Sequence, residues 1–189
     1  MIKSRCSWCG DDPLYINYHD KEWGVPVFND EKLFEFLVLE TFQAGLSWIT
    51  ILRKRENFRS AFDSFDYQKI ALYDEKKYES LLLDAGIIRN KLKIRATIGN
   101  AQAFMKLQNE HGSFSNYIWK FTNGNPIQNN WLDLNQVPAT TNLSDIISKD
   151  LKNHGFKFVG STVIYAYMQA VGMVNDHVEN CFRYHEVRL

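Results

Sequence analysis

The sequence predicts an all-α protein. Three observations carry this. Apolar positions recur at helical spacing through most of the chain, alternating strand patterns are few, and only four prolines (Pro13, Pro26, Pro126, Pro138) interrupt it. Asn29 or Asp30 is placed to cap a helix from about Glu31 to Phe42, with Phe34, Leu37, Val38 and Thr41 on one face. Leu46 to Phe58 reads as a second helix. Asp74 to Ala85 reads as a third, with Gly86 as the residue that ends it. Asn90 to Glu110 is long and amphipathic, and Phe114 to Phe121 is short and aromatic. Asn123 to Asn142 is polar, with two prolines and one charge, and reads as a long loop. Ser144 is placed to cap a helix ending near His154, with Leu143, Ile146, Ile147 and Leu151 inward and Gly155 as its stop. Ser161 to Val171 follows, with Val163, Ile164, Tyr167, Met168 and Val171 on one face. A single domain over 1–189 is expected. The middle, about 25–143, forms its main helical lobe, and the chain ends, 1–24 with 144–189, form a smaller one.

Composition excludes several classes. The 189 residues are 45% hydrophobic and 23% charged, enough to bury a core and unlike a disordered tail. Lys+Arg and Asp+Glu both total 22, so a nucleic-acid binder of this composition must use a local patch. The N-terminal MIKSRCSW has no apolar core of a secretory signal. The weakly charged run Phe36 to Leu52 is too short and too polar to span a bilayer. Three cysteines, an odd number, argue against a disulfide framework and for a reducing cytoplasm.

Three groups of residues point to chemistry. Cys6 and His19 lie near one end of the chain, and His177 and Cys181 near the other. The pattern H-x3-C on a predicted helix puts both side chains on one face, with Cβ atoms about 5–6 Å apart. Two Cys and two His suit a closed, structural Zn²⁺ site. Two alternatives stand beside this reading. A buried Cys181 with a surface His177 is the ordinary one, and Cys6-Ser-Trp-Cys9 is itself a zinc-type C-x2-C, in which Cys9 replaces His19 or is a spare thiol.

Second, Leu151 to Thr162 reads as a helix end, a turn bounded by Gly155 and Gly160, and a new helix start. Free N–H groups at that start can hold a DNA phosphate without reading sequence. An ordinary αα-hairpin has the same outline. The stretch Ile87 to Lys106 carries Arg89, Lys91, Lys93, Arg95 and Lys106 with no acidic residue. It is a candidate phosphate-facing stripe or a solvated helix face. Third, Glu40 is the one charge between Phe36 and Leu52. A buried unpaired carboxylate is expensive, so it needs a partner or a purpose. With Tyr15, Tyr18, Trp23 and Trp48 nearby, it suits a flat cationic ligand such as an extruded base. The other explanation is a structural Glu satisfied by helix N–H groups or an Arg.

The segments Asp12 to Pro26, Gln43 to Thr50, Asp84 to Arg89, Gly155 to Gly160 and Val174 to His177 resemble the constitutive bacterial 3-methyladenine DNA glycosylase I family. The similarity runs from about Cys6 to Cys181. It implies an all-α helix-hairpin-helix glycosylase bundle, with one structural Zn²⁺ joining the N- and C-terminal segments through Cys6, His19, His177 and Cys181. Cys9 is then spare. The implied activity is hydrolytic excision of 3-methyladenine from double-stranded alkylated DNA, which starts base excision repair. Glu40 is implied as the base-contacting carboxylate, acting by hydrogen bonding and charge rather than nucleophilic attack. Tyr18 and Trp48 are implied as stacking walls, and Trp8, Tyr15 and Trp23 would complete the pocket. Leu46 is a candidate wedge filling the gap left by the flipped nucleotide, by analogy with intercalating apolar residues. Gly155, Lys157 and Gly160 are expected at the phosphate backbone.

Asp176 lies roughly where related glycosylases place a catalytic Asp, in a family described as lacking it. Its expected role is to support His177. Thr162 stands where bifunctional relatives carry a Lys, so no Schiff-base lyase step is expected. A cytoplasmic monomer needing no membrane or protein partner is the resulting expectation. A catalytically silent binder of damaged DNA is the main alternative. A structural zinc module is a second, against which the hairpin and the basic run speak.

Overall fold

Helix α2 (Asp30–Gln43) organises the molecule, and its sequence explains why. Every residue from Leu33 to Phe42 is buried, so the helix is covered on all sides. Asn29 caps it by accepting from the Lys32 N–H at 2.8 Å. The computed structural model describes residues 3–188, and the protein is predominantly helical, as the periodicity predicts. Around α2 pack α3 (Trp48–Ala61), α6 (Lys91–His111), α7 (Phe114–Trp119) and α9 (Ser161–Ala170). Helix α6 follows the long amphipathic pattern. Asn90 caps its start, and Gly112, at φ 80°, ends it in a left-handed conformation that suits glycine. The short α4 (Tyr67–Ile70) packs against α6, and α5 (Glu75–Leu83) also rests on it.

The structure corrects several sequence expectations. Helix α1 (Pro13–Lys21) is absent from the helices the periodicity predicts, although Asp12-Pro13 is a strong start signal. Asp12 accepts from the Leu14 and Tyr15 N–H groups, and proline occupies the first helical position. Helix α5 ends at Leu83 rather than at Ala85, because the Asp84 carboxylate turns back to accept from the Gly86 N–H at 2.7 Å. Helix α8 (Asn142–Asn153) is capped by Thr141, not Ser144. The two hydroxyls form a reciprocal capping box, with Ser144 at its third position. On α8, Ile147 and Leu151 are buried, but Ile146 is 56% exposed.

The expected loop 123–142 holds a short strand, β1 (Ile127–Gln128), parallel to β2 (Val174–Asn175). This pairing keeps the chain extended into His177. His177 and Cys181 therefore lie on an extended segment and a turn, not on a helix. The Cys181 N–H closes that turn on the Val178 carbonyl at 2.8 Å. Among the described residues, no helix is long and apolar enough to cross a membrane.

Gly172 ties the end of α9 to the segment before α2. Its φ is +71°, and a Cβ there would lie 2.4 Å from the Val25 carbonyl carbon. Only glycine meets both conditions. The Val27 N–H then bonds to the Val171 carbonyl, and the Gly24 N–H to that of Gln169.

Candidate active site

Helices α1, α2, α3 and α9 converge on a cavity of about 200 Å³. That is below the roughly 300–1,000 Å³ of pockets for drug-sized ligands, so it suits a single heterocycle. Trp8, Tyr15, Tyr18, Trp23, Glu40 and Trp48 all line it. The structure thus brings together every residue proposed for a base pocket from sequence. The Tyr18 and Trp48 rings are tilted by 45° with centroids 5.3 Å apart, and Trp8 packs on Tyr15 at 4.9 Å and Trp23 at 5.0 Å. Burial raises the Tyr18 phenol well above its usual range, so it remains neutral. The buried indole N–H groups of Trp8 and Trp48 have no hydrogen-bond partner among the described residues.

Glu40 is 4% exposed. Among the described residues no helix N–H or arginine bonds to its carboxylate, which speaks against the structural explanation left open by the sequence. Desolvation alone raises its pKa to about 8. Arg55 on α3 bonds to Glu35 on α2 at 2.7 Å and to Glu22, just beyond α1, at 2.8 Å. This buried hub ties together the three helices that carry Tyr18, Glu40 and Trp48.

Sequence reasoning did not place six further lining residues in the pocket: Gln43, Leu134, Val137, Ala166, Gln169 and Asp176. Leu134 and Val137 come from the loop read as featureless. Its one available signal was Asp133-x-x-Gln136, which forms a capping box. Asp176 is 1% exposed and accepts four hydrogen bonds, each of 2.6–2.7 Å, from Asn129, Trp131, Tyr165 and Gln169. Four donors on two oxygens fill the capacity of a carboxylate. Asp176 thereby fastens the 129–137 wall to α9. It does not support the His177 ring, contrary to expectation, because that ring is held by the Trp23 carbonyl at 3.1 Å.

Cys6, His19, His177 and Cys181 form a buried group whose ligand atoms all lie within 4.8 Å of one another. Cys181 Sγ lies 3.4 Å from His19 Nε2 and 3.5 Å from His177 Nδ1, and Cys6 Sγ lies 3.6 Å from His177 Nδ1. A tetrahedral ion with bonds of about 2.0–2.3 Å needs donor separations of about 3.3–3.8 Å, so the set fits a metal ion. The outer nitrogens fit too. His19 Nδ1 meets Asp20 at 2.8 Å, and Arg5 grips the same carboxylate. With His177 Nε2 on the Trp23 carbonyl, both rings carry the outer partners usual for metal-bound imidazoles. Cys9 lies outside the group, and its thiol donates to the Cys6 carbonyl.

The segment between α8 and α9 is a tight turn, with Gly155 at φ +93°. Lys157 is exposed, while its backbone N–H and carbonyl both bond to the Asn100 side chain of α6. Gly160 begins α9 with no side-chain cap, and a Cβ there would meet nothing within 4 Å. Leu46 is 38% exposed at the tip of the α2–α3 turn, where the Gln43 side chain donates to the Leu46 carbonyl. The basic stripe is only partly available. Lys93 is buried and donates to the Phe42 and Ala44 carbonyls at the end of α2, because those carbonyls have no helical partners. Arg95 pairs with Glu75 and covers the Tyr78 ring. Lys106 lies 4.0 Å from Glu110. Arg89 and Lys91 are exposed.

Comparison with known proteins gives one consistent result. The profile of the family described as methyladenine glycosylase matches residues 8–184. DNA-3-methyladenine glycosylase 1 of Escherichia coli is 51% identical over 180 residues, covering 95% of this chain and 96% of that protein. A crystal structure of a 3-methyladenine DNA glycosylase I superposes with a TM-score of 0.92 at 49% identity, covering 95% of this chain and 98% of that one. A Staphylococcus aureus 3-methyladenine DNA glycosylase I, solved to explain its recognition of 3-methyladenine, superposes with a TM-score of 0.92 at 34% identity. That match covers 94% of this chain and 95% of the other.

Proposed function

The chain belongs to the methyladenine glycosylase family, and from that premise we propose how its residues carry out the family's reaction. The protein is a DNA glycosylase that hydrolyses the N-glycosidic bond of 3-methyladenine in alkylated DNA and so begins base excision repair. The lesion must leave the base stack to reach the cavity. Methylation at N3 makes the attached adenine a cation, so the leaving group is already activated and little acid catalysis is needed. The protein's work is to extrude the base, to prefer it over adenine and to stabilise positive charge on base and sugar.

The observation that carries the reading is Glu40, a buried carboxylate among electron-rich rings and without a hydrogen-bond partner among the described residues. Burial pushes its pKa up to about 8, which favours the neutral acid. A cationic base supplies both the charge and the donors that its ionised form needs. Tyr18 and Trp48 stack on the base, and Trp8, Tyr15 and Trp23 close the pocket around it. Leu46 fills the space the base vacates. Gly155, Lys157, Gly160 and the free N–H groups at the start of α9 dock a phosphate, so α8 and α9 act as a helix-hairpin-helix. Because the free protein has room for a Cβ at Gly160, loss of duplex binding in Gly160→Ala reports close approach of DNA rather than misfolding.

The metal is Zn²⁺, held by Cys6, His19, His177 and Cys181. It cross-links the two chain ends and supplies no step of the chemistry, since four protein ligands leave no open position. Anomalous scattering at the zinc edge tests it, with one ion between those residues expected; a site that uses Cys9, or no ion, contradicts it. The activity itself is tested by chromatography of bases released from methylated DNA. Release of 3-methyladenine by the purified protein is expected. Duplex binding without release supports the silent-binder alternative instead.

A further inference from the structure

Cys9 is a thiol for which the glycosylase reaction has no use. It is buried and lies outside the Cys/His group, while Ser7 and Gly10 beside it are exposed. A single 3-10 turn, Ser7–Cys9, folds it back on Cys6. Both the Cys9 N–H, at 3.3 Å, and the Cys9 thiol, at 3.2 Å, donate to the Cys6 carbonyl. A turn closed in this way holds the Cα atoms of its first and fourth residues less than about 7 Å apart, and disulfides span about 4.4–6.8 Å. Cys6 and Cys9 can therefore be joined by turning their side chains and shifting only this short turn. Trp8 stands between them in sequence. Its ring lines the base pocket, packs on Tyr15 and Trp23, and meets the His19 ring at 5.2 Å. One turn thus carries a member of the metal group, a wall of the pocket and a spare thiol.

We propose that Cys6 and Cys9 form a redox-modification site, at which a hydroperoxide oxidises the pair to a disulfide, so that the metal is released and base binding is lost. This rests on the reading of Cys6, His19, His177 and Cys181 as the zinc ligands. The Cys6 thiolate attacks the peroxide. An S–O bond forms, the O–O bond breaks, and hydroxide leaves and takes up a proton to become water. The Cys9 sulfur then attacks the Cys6 sulfenic acid. The S–S bond forms, the S–O bond breaks, and a second water departs with the Cys9 proton. The two sulfurs lose two electrons, and the peroxide gains them. Cys9 is better placed than Cys181 to complete this step. Cys181 Sγ lies 3.4 Å from His19 Nε2 and 3.5 Å from His177 Nδ1, as a sulfur engaged in the group, whereas the Cys9 thiol bonds to the Cys6 carbonyl outside it. The thiolate is the metal-binding form of cysteine, so a disulfide at Cys6 takes one donor from the group. The turn shifts with it, and Trp8 shifts with the turn.

The test uses the full-length, zinc-loaded protein treated with hydrogen peroxide. Metal release is followed with a chromogenic chelator, the disulfide is mapped by mass spectrometry without reduction, and affinity for free 3-methyladenine is measured before and after. Trypsin cuts after Arg5 and Lys21, so Cys6 and Cys9 share one peptide and Cys181 falls in another. In the native protein the shared peptide should become lighter by two hydrogens as the metal is released. Affinity for 3-methyladenine should fall by at least about tenfold, or ~1.4 kcal/mol. Thiol reductant with added zinc should restore both. Cys9→Ser keeps a donor to the Cys6 carbonyl, so it should bind zinc and 3-methyladenine as the native protein does. Peroxide should instead carry its Cys6 on to the sulfinic acid, which reductant does not reverse. A link between the shared peptide and that of Cys181 overturns the proposal. So does a Cys9→Ser protein that loses and regains metal as the native one does, a disulfide formed without metal release, or a shared peptide that peroxide leaves unchanged. Protein prepared with zinc that holds no ion contradicts the metal reading itself, and the proposal falls with it.

Discussion

A carboxylate buried without a partner is stable only as the neutral acid, and Glu40 is in that position. Its pKa rises from the usual 4.5 to about 8 because burial penalises the charge. The raised value fixes the sign of two pH effects. Without ligand, the stability linked to Glu40 is fully present below pH 4.5 and is lost as pH rises through about 8. With a cationic lesion the ionised form is the one that binds. The preference for lesion over undamaged duplex should therefore strengthen as pH rises to about 8 and level off above it. Taking the two duplexes as a ratio removes the pH dependence of general DNA binding, and Glu40→Gln should flatten the remaining curve. A preference that weakens with rising pH over that range refutes the assignment. Trp48 makes a complementary case. Stacking on a base is worth ~1–3 kcal/mol by alanine substitution, so Trp48→Ala should lower 3-methyladenine affinity by that amount in calorimetry.

Helix α2 was legible in the sequence because its cap and its unbroken apolar run are local. The residue that finishes it was not. Lys93 lies in a run that reads as a solvent-facing basic stripe, and only the packing of α6 on α2 shows that its ammonium caps the Phe42 and Ala44 carbonyls. These bonds anchor the chain just before Gly45 and Leu46. Charge-assisted bonds contribute ~1.5–3 kcal/mol, so Lys93→Met should lower unfolding free energy by about that much in denaturant titration. Duplex binding should suffer more than binding of the free base. Equal losses in both would mean that Lys93 only stabilises the helix. The contact between α9 and the segment before α2 was equally hidden, since nothing local marks Gly172 as a close approach. Gly172→Ala meets both a backbone clash and an unfavourable φ, and should cost ~2 kcal/mol or more in the same titration.

Across the whole molecule, residues far apart in the chain meet in the Cys/His cluster and again around the pocket. The Cys and His ligand types were legible, but their pairing came from a presumed helix that does not exist. The extended course into His177 depends on β2 pairing with β1, which hydropathy does not show. Likewise, the pocket's aromatic side was legible from residues 8–48, whereas Leu134 and Val137 were lost in a polar loop. Removing the metal should loosen the joined chain ends. Hydrogen exchange after chelation should therefore rise around residues 3–24 and 174–187 while α6 stays protected; uniform unfolding or no change contradicts that division. The pocket lies beside this cluster, so its chemistry must be measured on folded, metal-loaded protein. The most direct measurement is calorimetric binding of free 3-methyladenine and of adenine to the native protein and to Glu40→Gln. The expected result is a loss of ~1.5–3 kcal/mol for 3-methyladenine in the variant, with adenine's weak binding almost unchanged and excision reduced but not abolished. Unchanged 3-methyladenine affinity would show that Glu40 does not select the lesion, and abolished excision with intact base binding would place it in the chemical step instead.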